Sequence, residues 1–153
     1  MFHHHCSALP GAAPHRTGLG MSARADLLRD LYDTVSAGVT DDRLAAFFHP
    51  EAEQVEYPSL MRPHGHRRSL AEMREGAKLG AGLVRDQHFV VHQVVEQGDQ
   101  VAVQLTWTAT LAVDAGDLAA GTTLVSHVAA FYVFRDGLVL RQSSYDCYEP
   151  LVS

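Results

Sequence analysis

At 153 residues, 46% of them hydrophobic, the chain has material for one core and not two, since single domains commonly run to about 100–150 residues. A formal charge of -6 with only 12 Lys and Arg leaves no extended positive surface for phosphates, so nucleic acid is excluded as an expected partner. Two cysteines, Cys6 and Cys147, make no disulfide framework, and no stretch nears the roughly 18 apolar residues of a membrane span. The expectation is a soluble, cytoplasmic protein with no membrane partner.

The first twenty residues, MFHHHCSALPGAAPHRTGLG, hold no acidic residue and no apolar run of the roughly 7–15 residues a signal peptide needs. Residues 1–21 are expected to be a disordered N-terminal extension, with Met21 before Ser22 as a natural start and the domain itself spanning 22–150. His3, His4 and His5 form a tract that could hold metal, but a disordered tail explains them more cheaply.

From Ser22 the pattern is helical: Leu27, Leu28, Leu31, Tyr32 and Val35 recur at three- and four-residue spacing, Ser22 can cap the start and Gly38 ends it. A second helix is predicted from about Asp41, with Leu44, Phe47 and Phe48 as its apolar face, stopping before Pro50. Ala52 to Tyr57 reads as a short extended segment, and Pro58 to Arg68 as a loop. Ser69-Leu70-Ala71-Glu72 matches the capping box and opens a third helix to about Gly80.

Beyond Gly82 the period changes. Val90, Val91, Val94 and Val95 mark one strand, and Val101, Val103, Leu105, Trp107, Ala109 and Leu111 the next, with Gly98-Asp99 between them. Thr122 to Phe134 and Leu138 to Tyr148 form two more, joined by Asp136-Gly137, where both central positions accept positive φ. Helices followed by a meander of long strands give an α+β fold: a strongly curved, mainly antiparallel sheet packed on three N-terminal helices.

Three motifs stand in that layout: FFHPEAEQVEYP at Phe47 to Pro58, FRDGLVL at Phe134 to Leu140, and SYDCYEP at Ser144 to Pro150. In order and spacing they resemble the nuclear transport factor two-like superfamily in its SnoaL-like branch, over about Ala23 to Pro150. The resemblance implies a cone-shaped roll enclosing a pocket for a small hydrophobic molecule, and pairing as a homodimer through the outer sheet. The superfamily includes ketosteroid isomerases, polyketide cyclases, scytalone dehydratase and non-catalytic binding modules, so the fold leaves the activity open.

Strict alternation along the last strand puts Leu140, Gln142, Ser144, Asp146 and Tyr148 on one face, which the resemblance turns inward. Asp146 is then a candidate general acid or base, its carboxyl raised by desolvation. Trp107, Tyr132, Gln142 and Ser144 are candidate ligand-binding walls. A ketosteroid isomerase set is excluded, because its base position falls on Tyr57 before Pro58 and its donor positions near Leu31 and Ala130; Glu56 is turned to the face opposite Tyr57. VEYPSL and DQHF resemble segments of scytalone dehydratase, which implies Tyr57 as a phenol polarising a carbonyl and His88 as an imidazole moving a proton. The partner histidine of that set has no counterpart among Thr108 to Leu111.

His127 is expected on the outer face, as is an inert Cys147, and His64-Gly65-His66 lacks the further ligands of a metal site. No G-x-S-x-G elbow and no phosphate-binding glycine loop occur. Two readings follow, both without metal or cofactor: an enzyme performing isomerisation, cyclisation or dehydration by proton transfer through Asp146, His88 and Tyr57, or a non-catalytic ligand-binding or dimerisation module.

Overall fold

The computed structural model describes residues 22–151; the expected extension, with its histidine tract and Cys6, lies outside the described residues. Ser22 accepts a hydrogen bond from the Ala25 amide and starts helix α1, Ala23–Ser36, which buries Ala25, Leu28, Leu31 and Tyr32 along one stripe. Asp41 caps α2, Asp42–Ala45, a single turn. Strand β1, Phe48–Glu56, begins after Ala46 and Phe47, so the expected second helix forms but ends before Phe47 and Phe48. The Phe47 carbonyl accepts from the Val139 amide, so this segment is claimed by the sheet before the helical spacing of its phenylalanines can act. Pro50 is tolerated because it falls where the register of β1 shifts, between Phe48 and Glu53.

Part of the expected loop is also a strand, β2, His66–Ser69. The capping box forms as the sequence predicts, with Ser69 and Glu72 each serving the other's backbone amide, and opens α3, Leu70–Leu83. The four long strands follow: β3, Val84–Gln97; β4, Gln100–Leu111; β5, Thr123–Arg135; and β6, Leu138–Tyr148. The sheet order is β2-β1-β6-β5-β4-β3, antiparallel throughout except for the parallel pair β1 and β6. This open six-stranded sheet with three helices is the expected α+β cone.

Alternation along β4 and β5 places Val101, Val103, Leu105, Ala130, Tyr132 and Phe134 on the face covered by α1, where they meet Leu28, Leu31 and Tyr32. Tyr32 stacks on Phe89 of β3 with centroids 5.0 Å apart, and its phenol shares a 2.8 Å hydrogen bond with that of Tyr132. The expected alternation of β6 holds only from Arg141 onward. Val133 pairs with Arg141 but Phe134 with Val139, so Leu140 is an extra residue in the strand, and Val139 rather than Leu140 is fully buried. Among the described residues no helix is long and apolar enough to cross a membrane.

Candidate functional site

Beyond the bulge, β6 carries Gln142, Ser144, Asp146 and Tyr148 on the face that looks toward the helices. Ser144 is buried, and its Oγ donates to Asp146 Oδ2 at 3.0 Å. Burial pushes the Asp146 carboxyl above its ordinary range; the Ser144 hydrogen bond opposes this and the nearby charge of Glu56 reinforces it.

Glu56 reaches that neighbourhood because β1 runs parallel to β6 with Glu56 in register with Ser144. It is ion-paired with Arg62 Nε at 3.3 Å and lies 3.6 Å from Arg68 Nη1. Arg68 also donates to Gln54 Oε1 at 3.3 Å, and its guanidinium packs beneath Gly76 of α3. The loop bearing Arg62 is held against β1 at Gly65, whose φ of +65° suits only glycine and whose Cβ, if present, would lie 2.6 Å from the Glu56 carbonyl oxygen.

Tyr148 completes the group. Its phenol is pushed up to about 12, first by burial and then by the charges of Asp146 and Glu56, with Arg62 opposing. It is therefore a neutral hydrogen-bond donor at every physiological pH. Its ring meets Trp107 of β4 edge-on at 6.3 Å, and the Trp107 indole donates to Gln87 Oε1 at 3.2 Å. Between these two rings in register, Ser126 of β5 is 1% exposed and its hydroxyl has no hydrogen-bond partner among the described residues.

Two residues expected in the site stand elsewhere. His88 pairs with Thr108, whereas its neighbour Phe89 pairs with Trp107, so the imidazole is exposed on the outer face of the sheet. Tyr57 stacks on Tyr145 at 4.4 Å, and Tyr145 alternates outward between Ser144 and Asp146. The dehydratase-like pair of Tyr57 and His88 is thus not assembled on the inner face. The same alternation that turns Tyr57 outward brings Glu56 inward. Trp107, Gln142, Ser144 and Asp146 share the inner face, while Tyr132 lies in the core with its phenol engaged by Tyr32.

His127 is exposed as expected, bonded through Nε2 to Glu149 Oε1 at 3.0 Å, and Cys147 is exposed as a free thiol. Surface hollows of about 320 and 550 Å³ open near Thr122 and Glu149 and between β1, β2 and α3, neither of them lined by Asp146 or Trp107. The carboxylate cluster is the better candidate because it alone joins burial, opposed charges and an unshared hydroxyl. Among the described residues no three His, Cys, Asp or Glu side chains are placed to hold a metal ion.

The signal for Glu56, Arg62 and Arg68 was present in the sequence: an acid one position before Tyr57, followed by the clustered arginines Arg62, Arg67 and Arg68. Alternation along β5 with Tyr132 already puts Ser126 on the inner face; only its lack of a hydrogen-bond partner left no signal in the sequence.

The model of the SnoaL-like domain matches residues 28–142. The chain belongs to that family. No curated protein resembles this SnoaL-like chain at a significant level. Solved structures do. A candidate polyketide cyclase from Acidithiobacillus ferrooxidans superposes with a TM-score of 0.68 at 19% identity, over 85% of this chain and 91% of its own. A SnoaL-like polyketide cyclase from Agrobacterium tumefaciens gives 0.61 at 20% identity, over 82% and 92%. A candidate hydroxylase from Streptomyces galilaeus gives 0.64 at 21% identity, over 80% and 74%. At these identities the likeness carries the fold of the SnoaL-like chain and not its chemistry.

Proposed function

We propose that this SnoaL-like domain binds a small, largely apolar carbonyl or polyphenol compound against the inner face of β6. There it catalyses a cofactor-free proton transfer of the isomerisation, cyclisation or dehydration type. The observation that carries this reading is the desolvated Asp146 carboxyl, hydrogen-bonded by Ser144 beside the ion-paired Glu56. A carboxylate whose proton affinity is raised by burial is a stronger base than an exposed one, and Tyr148 supplies a neutral donor for an oxygen that gains charge. Asp146 moves the proton in this reading, and Trp107, Gln142 and Ser144 hold the ligand. The names of the structural neighbours favour the same reaction class.

The test is deuterium incorporation α to the carbonyl of 2-tetralone and of hydrophobic 1,3-diketones in D2O, followed by proton NMR. Wild-type protein accelerates exchange and Asp146→Asn does not. Equal rates with both proteins take Asp146 out of the chemistry.

A second copy of the chain is the proposed partner. Tyr57, Tyr145 and Phe131 make a connected aromatic patch on the outer face, with Tyr145 stacked on Tyr57 and edge-on to Phe131 at 6.2 Å. Each is at least 36% exposed, an apolar cluster that favours burial against another molecule. The same patch supports the other reading, a binding or dimerisation module without turnover. The exposed free thiol of Cys147 fits a reducing cytoplasm.

A further inference from the structure

Ser126 stands out because its hydroxyl is closed off from solvent and unshared among the described residues, an arrangement that is unfavourable for a buried polar group. Its surroundings are specific. Trp107 faces it from β4 and Tyr148 from β6, each directly in register. Strands two positions apart are separated by roughly 9–10 Å, yet the ring centroids are 6.3 Å apart, so the two rings lean together over the serine. The arrangement is a lidded polar spot: one neutral hydroxyl, two neutral aromatic edges, and the Asp146 carboxyl two residues from Tyr148 on the same face.

We propose that Ser126 is the floor of a ligand subsite, that Trp107 and Tyr148 part to admit a flat ring, and that the serine hydroxyl then bonds a neutral hydroxyl or keto oxygen on that ring. The ligand is not an anion, because the Asp146 and Glu56 carboxylates lie nearby, and a neutral oxygen is enough to pair with the one neutral serine hydroxyl. It is flat because an edge-to-face aromatic pair can exchange its mutual contact for stacking on an inserted ring with little loss. This subsite rests on the reading of the inner face as a small-molecule site, but not on any proton being moved there.

The chain contains one tryptophan, so a single indole N–H signal in a proton–nitrogen correlation spectrum reports on the subsite. The probes are 2-naphthol and 2-methylnaphthalene, alike in shape and differing in the oxygen. Titration of wild-type protein with 2-naphthol shifts the Trp107 indole signal, and 2-naphthol binds more tightly than the more apolar 2-methylnaphthalene. Ser126→Ala weakens 2-naphthol about tenfold, the effect of one hydrogen bond, and leaves 2-methylnaphthalene unchanged. The unliganded variant melts no lower than wild type, because it loses a hydroxyl that had no partner.

An indole signal that 2-naphthol fails to move, an equal effect of the substitution on both probes, or a lowered melting point would each overturn the subsite. Those results would leave the deuterium exchange by Asp146 standing. Conversely, discrimination between the probes with no difference in exchange for Asp146→Asn would keep the subsite and remove the proton-transfer reading.

Discussion

The phenols of Tyr32 and Tyr132 are hydrogen-bonded to each other at 2.8 Å inside the core, one from the first helix and one from the centre of the sheet. Burial raises both, Tyr32 to about 12, so both remain neutral and one proton lies between the two oxygens. Tyr132→Phe leaves the Tyr32 hydroxyl without its partner and is expected to cost about 1–3 kcal/mol in urea unfolding. Removing both hydroxyls strands nothing, so the double variant Tyr32→Phe, Tyr132→Phe should cost less than the sum of the two single changes. Strict additivity would mean that the two phenols do not support each other.

Asp146 sets a pH dependence of opposite sign to that of an ion-paired acid. Its folded-state affinity for a proton is raised above the ordinary value of 3.8, so the folded state holds more protons than the unfolded chain between those two values. Stability from this group is therefore complete below pH 3.8 and is lost as pH rises through the raised folded value. Asp146→Asn removes the loss. The variant should have the higher urea midpoint at pH 7, and the advantage should shrink as the pH falls toward 4. A variant less stable than wild type at pH 7 would show that the carboxylate is favourably held in the folded protein.

The fold was legible in the sequence because its signals are local and repeated: the alternation of β4 and β5, the Asp136-Gly137 hairpin and the capping box at Ser69 each survive in the structure. What misled was competition between local and long-range terms. Phe47 and Phe48 continue the helical spacing from Leu44, but pairing with β6 takes Phe48 into β1 and the Phe47 carbonyl onto the Val139 amide, and an inserted residue at Leu140 shifts the start of β6 by one face. Placement on the inner face was legible where alternation alone decides it, as for Ser144 and Asp146. It was misread where a motif overrode alternation: placing Tyr57 inward necessarily turned Glu56 away, and the structure has them reversed. His88 was subject to the same one-residue ambiguity, which register with Trp107 settles in favour of Phe89.

Gly65 shows how the Arg62 loop is kept at the site. Gly65 and Gly98 have nearly the same positive φ, +65° and +61°, but only Gly65 lies against backbone. An alanine at Gly98 meets open space and should cost about 1 kcal/mol for its conformation alone. At Gly65 the added Cβ meets the Glu56 carbonyl oxygen at 2.6 Å, so Gly65→Ala should cost more and should also displace the loop, loosening the Arg62–Glu56 ion pair. Urea midpoints compare the stabilities, and amide chemical shifts of residues 56–65 report the displacement. Equal losses at the two positions would mean that the loop is not pinned by this contact.

Dimer formation through the outer face makes a prediction that separates surface chemistry from folding. Tyr145 is 47% exposed, so a charge there can remain hydrated in the free chain. Burial of Tyr145 and Phe131 against a second copy would desolvate that charge without a partner, at a cost of several kcal/mol per interface. In sedimentation equilibrium the wild-type chain should run near twice its 16.7 kDa mass. Tyr145→Glu should run near 16.7 kDa with its melting cooperativity intact. Val113→Glu provides the control, because Val113 is 45% exposed in the segment between β4 and β5 and outside the aromatic patch, so this variant should remain dimeric. A wild-type chain that stays monomeric at tens of micromolar, or a Tyr145→Glu variant that still pairs, would remove the aromatic patch as the interface and leave its exposure unexplained.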